Sequence, residues 1–321
     1  MNLHIGDAEK IYLLHGIEED LRVSGRTRQE FRHINIECNV DPSKMGSSKV
    51  TFEGTTVMVT VEATTRRLDI ADQMSLLEGS LFLRVHFATC PVMGSDQDLN
   101  QLQLKIERLL FLQLKHLNKD QLCILSEKCV WDLHICVNVL QLNGNPCDIS
   151  SVALLAALAT TELPKLVICA GDDDLFDIEL PDPVQVEKLN IAGIPIFVTI
   201  FKTGTNQIVD ADMLEEAVSF SRLIVAINRN GDVVAVDKDG PGSLTIDSIE
   251  SMIREAISSG MNLFKIVDES LKSKFLETEI TVCTGINSDF EIVAFDNEYF
   301  ADSDQVMVSV AEDDSEYMLN G

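Results

Sequence analysis

The sequence predicts an α/β (α+β) protein built as a two-layer sandwich, in which helices cover sheets. Three features of its 321 residues support this fold class. Segments with alternating apolar and polar residues indicate half-buried strands, segments with apolar residues at helical spacing lie between them, and the same order recurs in the second half. We therefore expect two similar βαβα blocks followed by an acidic C-terminal tail.

The clearest strands lie in the first block. From Val57 to Val61, valines alternate with Met58 and Thr60 after a Glu53-Gly54 turn, which predicts a hairpin leading into a strand. In the segment Trp131–Val139, the odd-numbered residues are apolar and three of the four even-numbered ones are polar. Because its surroundings offer no triad partners, His134 is interpreted as a sheet-face residue rather than a catalytic base.

Two helices are predicted in this block. Residues 97–117 carry leucines and isoleucine at helical spacing and are expected to form an amphipathic helix. A second helix begins at Asn145, a suitable cap, because Pro146 fits the first helical position and Asp148 complements the helix dipole. The following Val152–Ala159 is too uniformly apolar to be exposed, so this helix is expected to be buried against a sheet.

The second block repeats the order. Between the blocks, the acidic Asp172-Asp173-Asp174 is interpreted as a solvated loop, since consecutive carboxylates rarely converge on one ion; a Mg²⁺ site is the alternative. The predicted elements of this block are strands around Ile194–Phe201, Leu223–Asn228 and Val233–Val236, an Asn230-Gly231 hairpin turn, and helices near Met213–Phe220 and over residues 246–271.

Composition limits the possible partners. A net charge of −27 argues against general nucleic-acid affinity, which depends on Lys and Arg, so any RNA contact must be local. After Lys274 the sequence has no Lys or Arg, which predicts an acidic and largely disordered tail. The eight cysteines show no zinc spacing, no apolar stretch approaches the ~20 residues of a membrane span, and no signal segment opens the chain. We expect no metal, no cofactor, no membrane contact and an intracellular location.

Four ordered motifs carry a family resemblance. They are Leu21–Arg26 followed by Arg32; Gly46–Val50 followed by Gly54–Val57; Asn143-Gly144-Asn145 before the small-residue helix; and Val209-Asp210 followed by Glu215-Glu216-Ala217. In this order and spacing they resemble the RNase PH family, although Ser24 stands where that family usually has Asp. The stretch from Ala8 to Val23 narrows the resemblance to ring subunits of the RNA exosome similar to the inactive half of the archaeal dimer. This resemblance implies an RNase PH-like fold of the ribosomal protein S5 domain 2-like kind.

The resemblance also implies that the chain is not an enzyme. Phosphorolysis requires arginines that hold phosphate and the RNA, and an acidic residue that assists the leaving oxygen. Where active relatives have an Arg-Arg pair, the segment Gly94–Asn100 contains no cation. Where they have an acid two residues before a proline, this sequence has Gly193-Ile194-Pro195. We therefore expect no catalytic residue, only a degenerate RNase PH-type site.

The domain organisation expected from the resemblance is an N-terminal extension (1–20), RNase PH-like domain 1 (21–185), RNase PH-like domain 2 (186–275) and the acidic tail (276–321). Four cations are candidates for RNA contact: Arg66 and Arg67 after the strand ending at Ala63, and Lys105 and Arg108 on the amphipathic helix. Ordinary solvated cations remain the alternative at each position.

By this resemblance the chain is a scaffold that guides RNA. Its expected partners are other RNase PH-like subunits, one forming a heterodimer with it within a six-membered ring, S1/KH-type cap subunits, and RNA in the central channel. The expected locations are nucleus, nucleolus and cytoplasm. Two alternatives remain open: an active phosphorolytic 3′-5′ exoribonuclease, or a subunit that lends Arg66, Arg67 or Arg108 to a partner's active site.

Overall fold

A computed structural model describes residues 5–68, 79–88, 96–125, 128–170 and 176–284. The predicted Asp172-Asp173-Asp174 loop, residues 94 and 95, and residues 285–321 of the acidic tail lie outside these ranges. Mixed α/β architecture confirms the predicted fold class. No helix in the described part of the chain combines the length and apolar character needed to cross a lipid bilayer.

The first block is a six-stranded sheet, here called sheet 1. Within the described residues its order is β1-β2-β3-β6-β4, with β5 also paired to β6; β4 and β6 run parallel, and the other paired strands run antiparallel. The long antiparallel strands β3 and β6 form its centre, and their alternating valines and isoleucine lie in the core, as predicted. The strands are β1 (Ile34–Cys38), β2 (Gly46–Phe52), β3 (Thr55–Arg67), β4 (Leu81–Phe87), β5 (Cys123–Leu125) and β6 (Cys129–Gln141).

The second block is the four-stranded sheet 2, ordered β12-β11-β13-β14, all antiparallel. Two small antiparallel pairs, β7 with β10 and β8 with β9, lie in the connection between the blocks. The remaining strands are β7 (Glu162–Pro164), β8 (Val167–Ala170), β9 (Phe176–Glu179), β10 (Val186–Lys188), β11 (Ile196–Thr203), β12 (Asn206–Val209), β13 (Ser221–Ile227) and β14 (Val233–Asp239).

Five α-helices and one short 3-10 helix (Lys119–Leu122) accompany these sheets in the described residues; the α-helices are α1 (Asp7–Glu18), α2 (Asp96–Leu114), α3 (Pro146–Ala159), α4 (Met213–Val218) and α5 (Ile246–Thr284). Helix α5 approaches sheet 2 at Gly260, where an added Cβ would lie 2.8 Å from Ile227 and 3.2 Å from Val198. The helix extends past residue 276, where we expected the tail to begin. The predicted domain boundaries at 20, 185 and 275 remain predictions.

Helix α3 is buried along its whole length because both blocks cover it. One side packs on sheet 1, and the other faces β11 of sheet 2. The part of β11 that β12 does not pair is completed by α3 side chains: Ser151 Oγ accepts from the Phe197 amide at 3.0 Å, and Asp148 accepts from the Thr199 amide at 2.8 Å. The two blocks thus share one helix, α3.

Candidate functional site: a neutralised ionic cluster between the blocks

Arg22, from the first sequence motif, is buried at the junction of α1, β12 and α4. Its Nε donates to Glu215 Oε1 at 2.8 Å, and its Nη2 forms an ion pair with the other oxygen of the same carboxylate. The guanidinium also donates to the main-chain carbonyls of Val209 (3.0 Å) and Asp210 (2.8 Å). Since Arg22 is only 2% exposed, its charge is fully committed to these partners.

Arg32 forms the second buried contact, with Asp210. Its Nη2 donates to Oδ1 at 2.7 Å and its Nε to Oδ2 at 2.9 Å, a bidentate pair; its main-chain amide donates to Oδ2 at 2.8 Å. Burial alone would raise the pKa of Asp210, but the hydrogen bonds and charge of Arg32 hold it below its usual value. Arg26 lies 3.4 Å from the same carboxylate, so all three arginines of the motif face acids of the second block.

Asn145 begins α3 in the left-handed conformation (φ 50°) and connects this cluster to the helix. A helix N-terminus attracts anions because its amides are unpaired and the dipole is positive there. Here carboxylates of the protein itself fill that role. Glu216 accepts from the Asn145 amide at 2.6 Å, while Asn145 Nδ2 donates to Asp148 at 2.9 Å and to Asp210 at 3.0 Å.

Asp148 is fully buried, as Asp210 is. It accepts from the Thr199 hydroxyl at 2.6 Å and from the Thr199 amide at 2.8 Å. Complete burial raises the pKa of Asp148 to about 7 despite these hydrogen bonds. Burial also raises the pKa of Glu216, although the nearby charge of Arg222 opposes the shift.

Arg222 and Lys105 form an outer group next to this helix start. Both bind Asp239 on β14, with Arg222 Nε 2.6 Å and Lys105 Nζ 2.5 Å from Oδ2. Arg222 also lies 3.3 Å from Glu216. Burial would raise the pKa of Asp239, but the two cations together lower it well below its usual range. Sequence reasoning missed Arg222, since no local motif marks it.

The predicted RNA-contact residues fall into two separate places. Lys105 and Arg108 extend from α2 to β14, where Arg108 pairs with Asp237 at 2.9 Å and keeps a side chain that is 65% exposed. Arg66 lies instead beside Asp132, with 2.7 Å between Nε and Oδ2, and Arg67 is exposed. The expectation that these two follow the strand is wrong: β3 continues through Arg67, because Arg66 and Arg67 pair with Val130 and Cys129 of β6.

The segments on which the inactivity prediction rests are partly described. Residues 96–100 open α2 and residues 94 and 95 are outside the described ranges. Gly193 lies exposed in the turn before β11. Because it is a glycine, this position presents no carboxylate. Cations from other parts of the sequence lie near the start of α3, namely Arg22, Arg26, Arg32, Lys105 and Arg222. Each of them, however, has a carboxylate of the same chain within 4 Å.

The fold and cluster together define a two-block α/β protein joined by buried arginine–carboxylate pairs. Residues 30–164 match the model of the 3′ exoribonuclease family, domain 1, and residues 193–259 match domain 2 of the same family, both of RNase PH type. This chain therefore belongs to the RNase PH-type 3′ exoribonuclease family.

Several relatives and structures resemble the chain over most of its length. An Arabidopsis thaliana protein, exosome complex component RRP45A, is 28% identical over 274 residues, covering 83% of this chain and 86% of that protein. A Dictyostelium discoideum protein provisionally named exosome complex exonuclease RRP42 is 26% identical over 317 residues, covering 84% and 98%. A solved archaeal exosome core chain has a TM-score of 0.64 at 23% identity, covering 82% and 97%; at this identity the likeness concerns the fold.

Proposed function

We propose that this chain is a non-catalytic ring subunit of an RNA exosome. It pairs with another RNase PH-like subunit, takes its place in a six-membered ring, contacts S1/KH-type cap subunits and guides RNA through the channel. The ring processes and degrades RNA from the 3′ end by means of a separate nuclease. We place this role in nucleus, nucleolus and cytoplasm. The exosome names of the relatives in plants and archaea support the assignment to this complex.

One observation carries the non-catalytic assignment. The positive side chains near the start of α3 are neutralised by carboxylates of the same chain, above all Arg32 by Asp210 and Arg222 by Glu216 and Asp239. An incoming phosphate would need to displace a buried carboxylate, and leaving a buried charge unpaired costs about 3–5 kcal/mol. Gly193, where active relatives carry the assisting acid, also provides no group for proton transfer to a leaving oxygen.

The RNA-guiding residues differ in how readily RNA reaches them. Arg108 is largely exposed, and its ion pair with Asp237 is solvent-accessible, so the pair contributes only about 0–1 kcal/mol. A phosphate of RNA can therefore replace the Asp237 carboxylate at the guanidinium with little loss of free energy. Arg67 is also exposed. Arg66 and Lys105 are more enclosed and tied to Asp132 and Asp239. We therefore assign RNA contact first to Arg67 and Arg108, and a positioning role to Arg66 and Lys105.

A phosphorolysis assay tests the central proposal. The purified chain is incubated with end-labelled oligo(A) and inorganic phosphate, and release of nucleoside diphosphate is measured beside an active RNase PH-type enzyme. We expect no phosphate-dependent release. Release of nucleoside diphosphate at a rate proportional to the concentration of this chain, and absent without phosphate, contradicts the assignment.

Purification of the native complex tests ring membership. It should yield five other RNase PH-like chains; recovery as a lone monomer contradicts ring membership.

Two other functions are favoured by particular observations. The family model describes exoribonucleases, which favours an active phosphorolytic enzyme with unusual residues; the same assay decides this. The exposure of Arg108 favours a subunit that lends a cation to its partner's active site. In that case Arg108→Ala lowers the partner's kcat at saturating RNA, whereas loss of guidance alone raises KM.

A further inference from the structure

Four large apolar side chains on α1 and in the turn after it are largely exposed to solvent. Ile11 is 55% exposed, Tyr12 68%, Leu21 66% and Val23 60%. The opposite side of α1 is ordinary core, since Ile17 packs with Phe201, Ile208 and Ala211. We call these four exposed residues the N-terminal patch. An exposed group of this kind, unlike a single exposed leucine, marks an interaction surface.

The backbone holds the N-terminal patch in one arrangement. The Leu21 amide donates to the Gly16 carbonyl at 2.8 Å, and a Cβ on Gly16 would lie 2.7 Å from the Leu21 carbonyl, so the turn rests directly on the helix. Tyr12 is one helical turn before Gly16 and shares its face. A preformed surface loses little conformational entropy when a partner binds.

Arg22 provides the second anchor. Its guanidinium is locked to Glu215, Val209 and Asp210 inside the protein, so the chain on either side of it is fixed. Leu21 and Val23 flank this inward-facing residue and are exposed. The buried ion pair between Arg22 and Glu215 therefore fixes the segment that carries the exposed Leu21 and Val23 side chains.

The surroundings of the patch are acidic. Within residues 5–23 the exposed carboxylates are Asp7, Glu9, Glu18, Glu19 and Asp20, whereas Lys10 is the single exposed Lys or Arg. Asp20 is compensated by Arg28 at 3.0 Å, and Asp7 lies 4.0 Å from Lys10. Glu9, Glu18 and Glu19 are exposed on the same segment and form no ion pair within the part of the chain that the structure describes.

We propose that the N-terminal patch docks a protein whose contacting surface is an apolar recess bordered by Lys and Arg. The apolar centre supplies affinity through Tyr12 and Leu21, and the acidic border steers the basic partner and rejects acidic ones. RNA and anionic membranes are disfavoured because the border repels phosphate. Nothing in this inference requires the ring assignment.

Photo-crosslinking in the native complex tests it. Tyr12 is replaced by p-benzoylphenylalanine in the full chain, the complex is irradiated, and the attached peptide is sequenced. We expect one protein adduct, on a surface with Lys or Arg around apolar residues. The double change Glu18→Lys/Glu19→Lys should lower its yield at least about fivefold, and Leu21→Ser/Val23→Ser likewise. The matched charge change Glu250→Lys/Glu269→Lys on α5 should leave it unaltered.

Four outcomes overturn the proposal: no adduct, an adduct on RNA, an adduct on an acidic protein surface, or a yield equally affected by both charge changes. The RNase PH-like chains that accompany the bait are counted in the same preparation. A basic adduct without those chains contradicts the ring assignment alone, and those chains without an adduct contradict the docking proposal alone.

Discussion

Arg32 and Arg108 both form ion pairs with aspartates across the two blocks, yet they do different things. The Arg32 side chain is 3% exposed and grips Asp210 with two parallel hydrogen bonds, whereas Arg108 is 65% exposed and touches Asp237 through one nitrogen. Water screens the second pair and not the first. The comparison teaches that a buried arginine such as Arg32 stabilises the fold through its ion pair. An arginine can bind a ligand such as RNA only when its side chain is exposed to solvent, as that of Arg108 is.

The largest expected effect comes from breaking the buried pair. Arg32→Met leaves Asp210 uncompensated in the interior, so the free energy of unfolding should fall by about 3–5 kcal/mol. Urea denaturation measures this loss. The exposed Arg254, paired with Glu250 one helical turn away, is the control, and Arg254→Met should change stability by less than about 0.5 kcal/mol. Equal losses in the two variants would contradict the comparison.

A medium effect is expected from the buried acid Asp148. Its folded pKa of about 7 lies above the ordinary value of 3.8, so the native state binds the extra proton between these pH values. Its contribution to stability is therefore complete below pH 3.8 and is lost as pH rises through 7. Asp148→Asn removes this dependence. The unfolding free energy of the variant should fall about 1–3 kcal/mol less between pH 4 and 7 than that of the unchanged protein.

This measurement needs a comparison within the same chain, because Asp210 has a lowered pKa and gives stability the opposite trend. Its contribution is present above its ordinary pKa and disappears as the solution becomes more acidic. The difference between Asp148→Asn and the unchanged protein cancels that trend. A difference that stays flat from pH 4 to 7 would mean that Asp148 titrates normally.

The smallest expected effect separates RNA contact from stability at the exposed pair. Arg108→Ala should change the unfolding free energy by less than about 1 kcal/mol, while RNA retention by the assembled complex falls a few-fold. Asp237→Ala removes the carboxylate that pairs with Arg108, so retention of RNA by the complex should rise or stay the same. Filter binding at two salt concentrations measures both variants. A drop in retention for both would point to packing rather than charge.

Elements with a local signal could be predicted from the sequence. Helix α3 starts at Pro146 and is buried over Val152–Ala159, as predicted, although the Asn145 side chain that precedes it forms no capping hydrogen bond. Strand β6 follows from strict alternation. Both features depend on residues that are close together in the sequence, so their patterns can be recognised in a single sequence.

The ionic cluster could not be predicted in the same way. Arg22 was recognised as part of a motif, but its partner Glu215 is 193 residues away, and only the folded chain brings them together. Arg222 lies in an otherwise apolar strand and gives no local sign that it meets Lys105 at Asp239. The end of β3 was misplaced because Arg66 and Arg67 look like loop residues until β6 supplies their partners.

Helix α3 has a consequence for how the polypeptide matures. Sheet 1 covers one of its sides, but Ser151 and Asp148 on the opposite side find their partners only in β11, 46 and 51 residues further along the chain. In a nascent chain that ends before Ile196, the apolar face of α3 and the Asp148 carboxylate would be exposed to solvent. Because α3 is shared by both blocks, we expect sheet 1 and sheet 2 of the finished protein to unfold together.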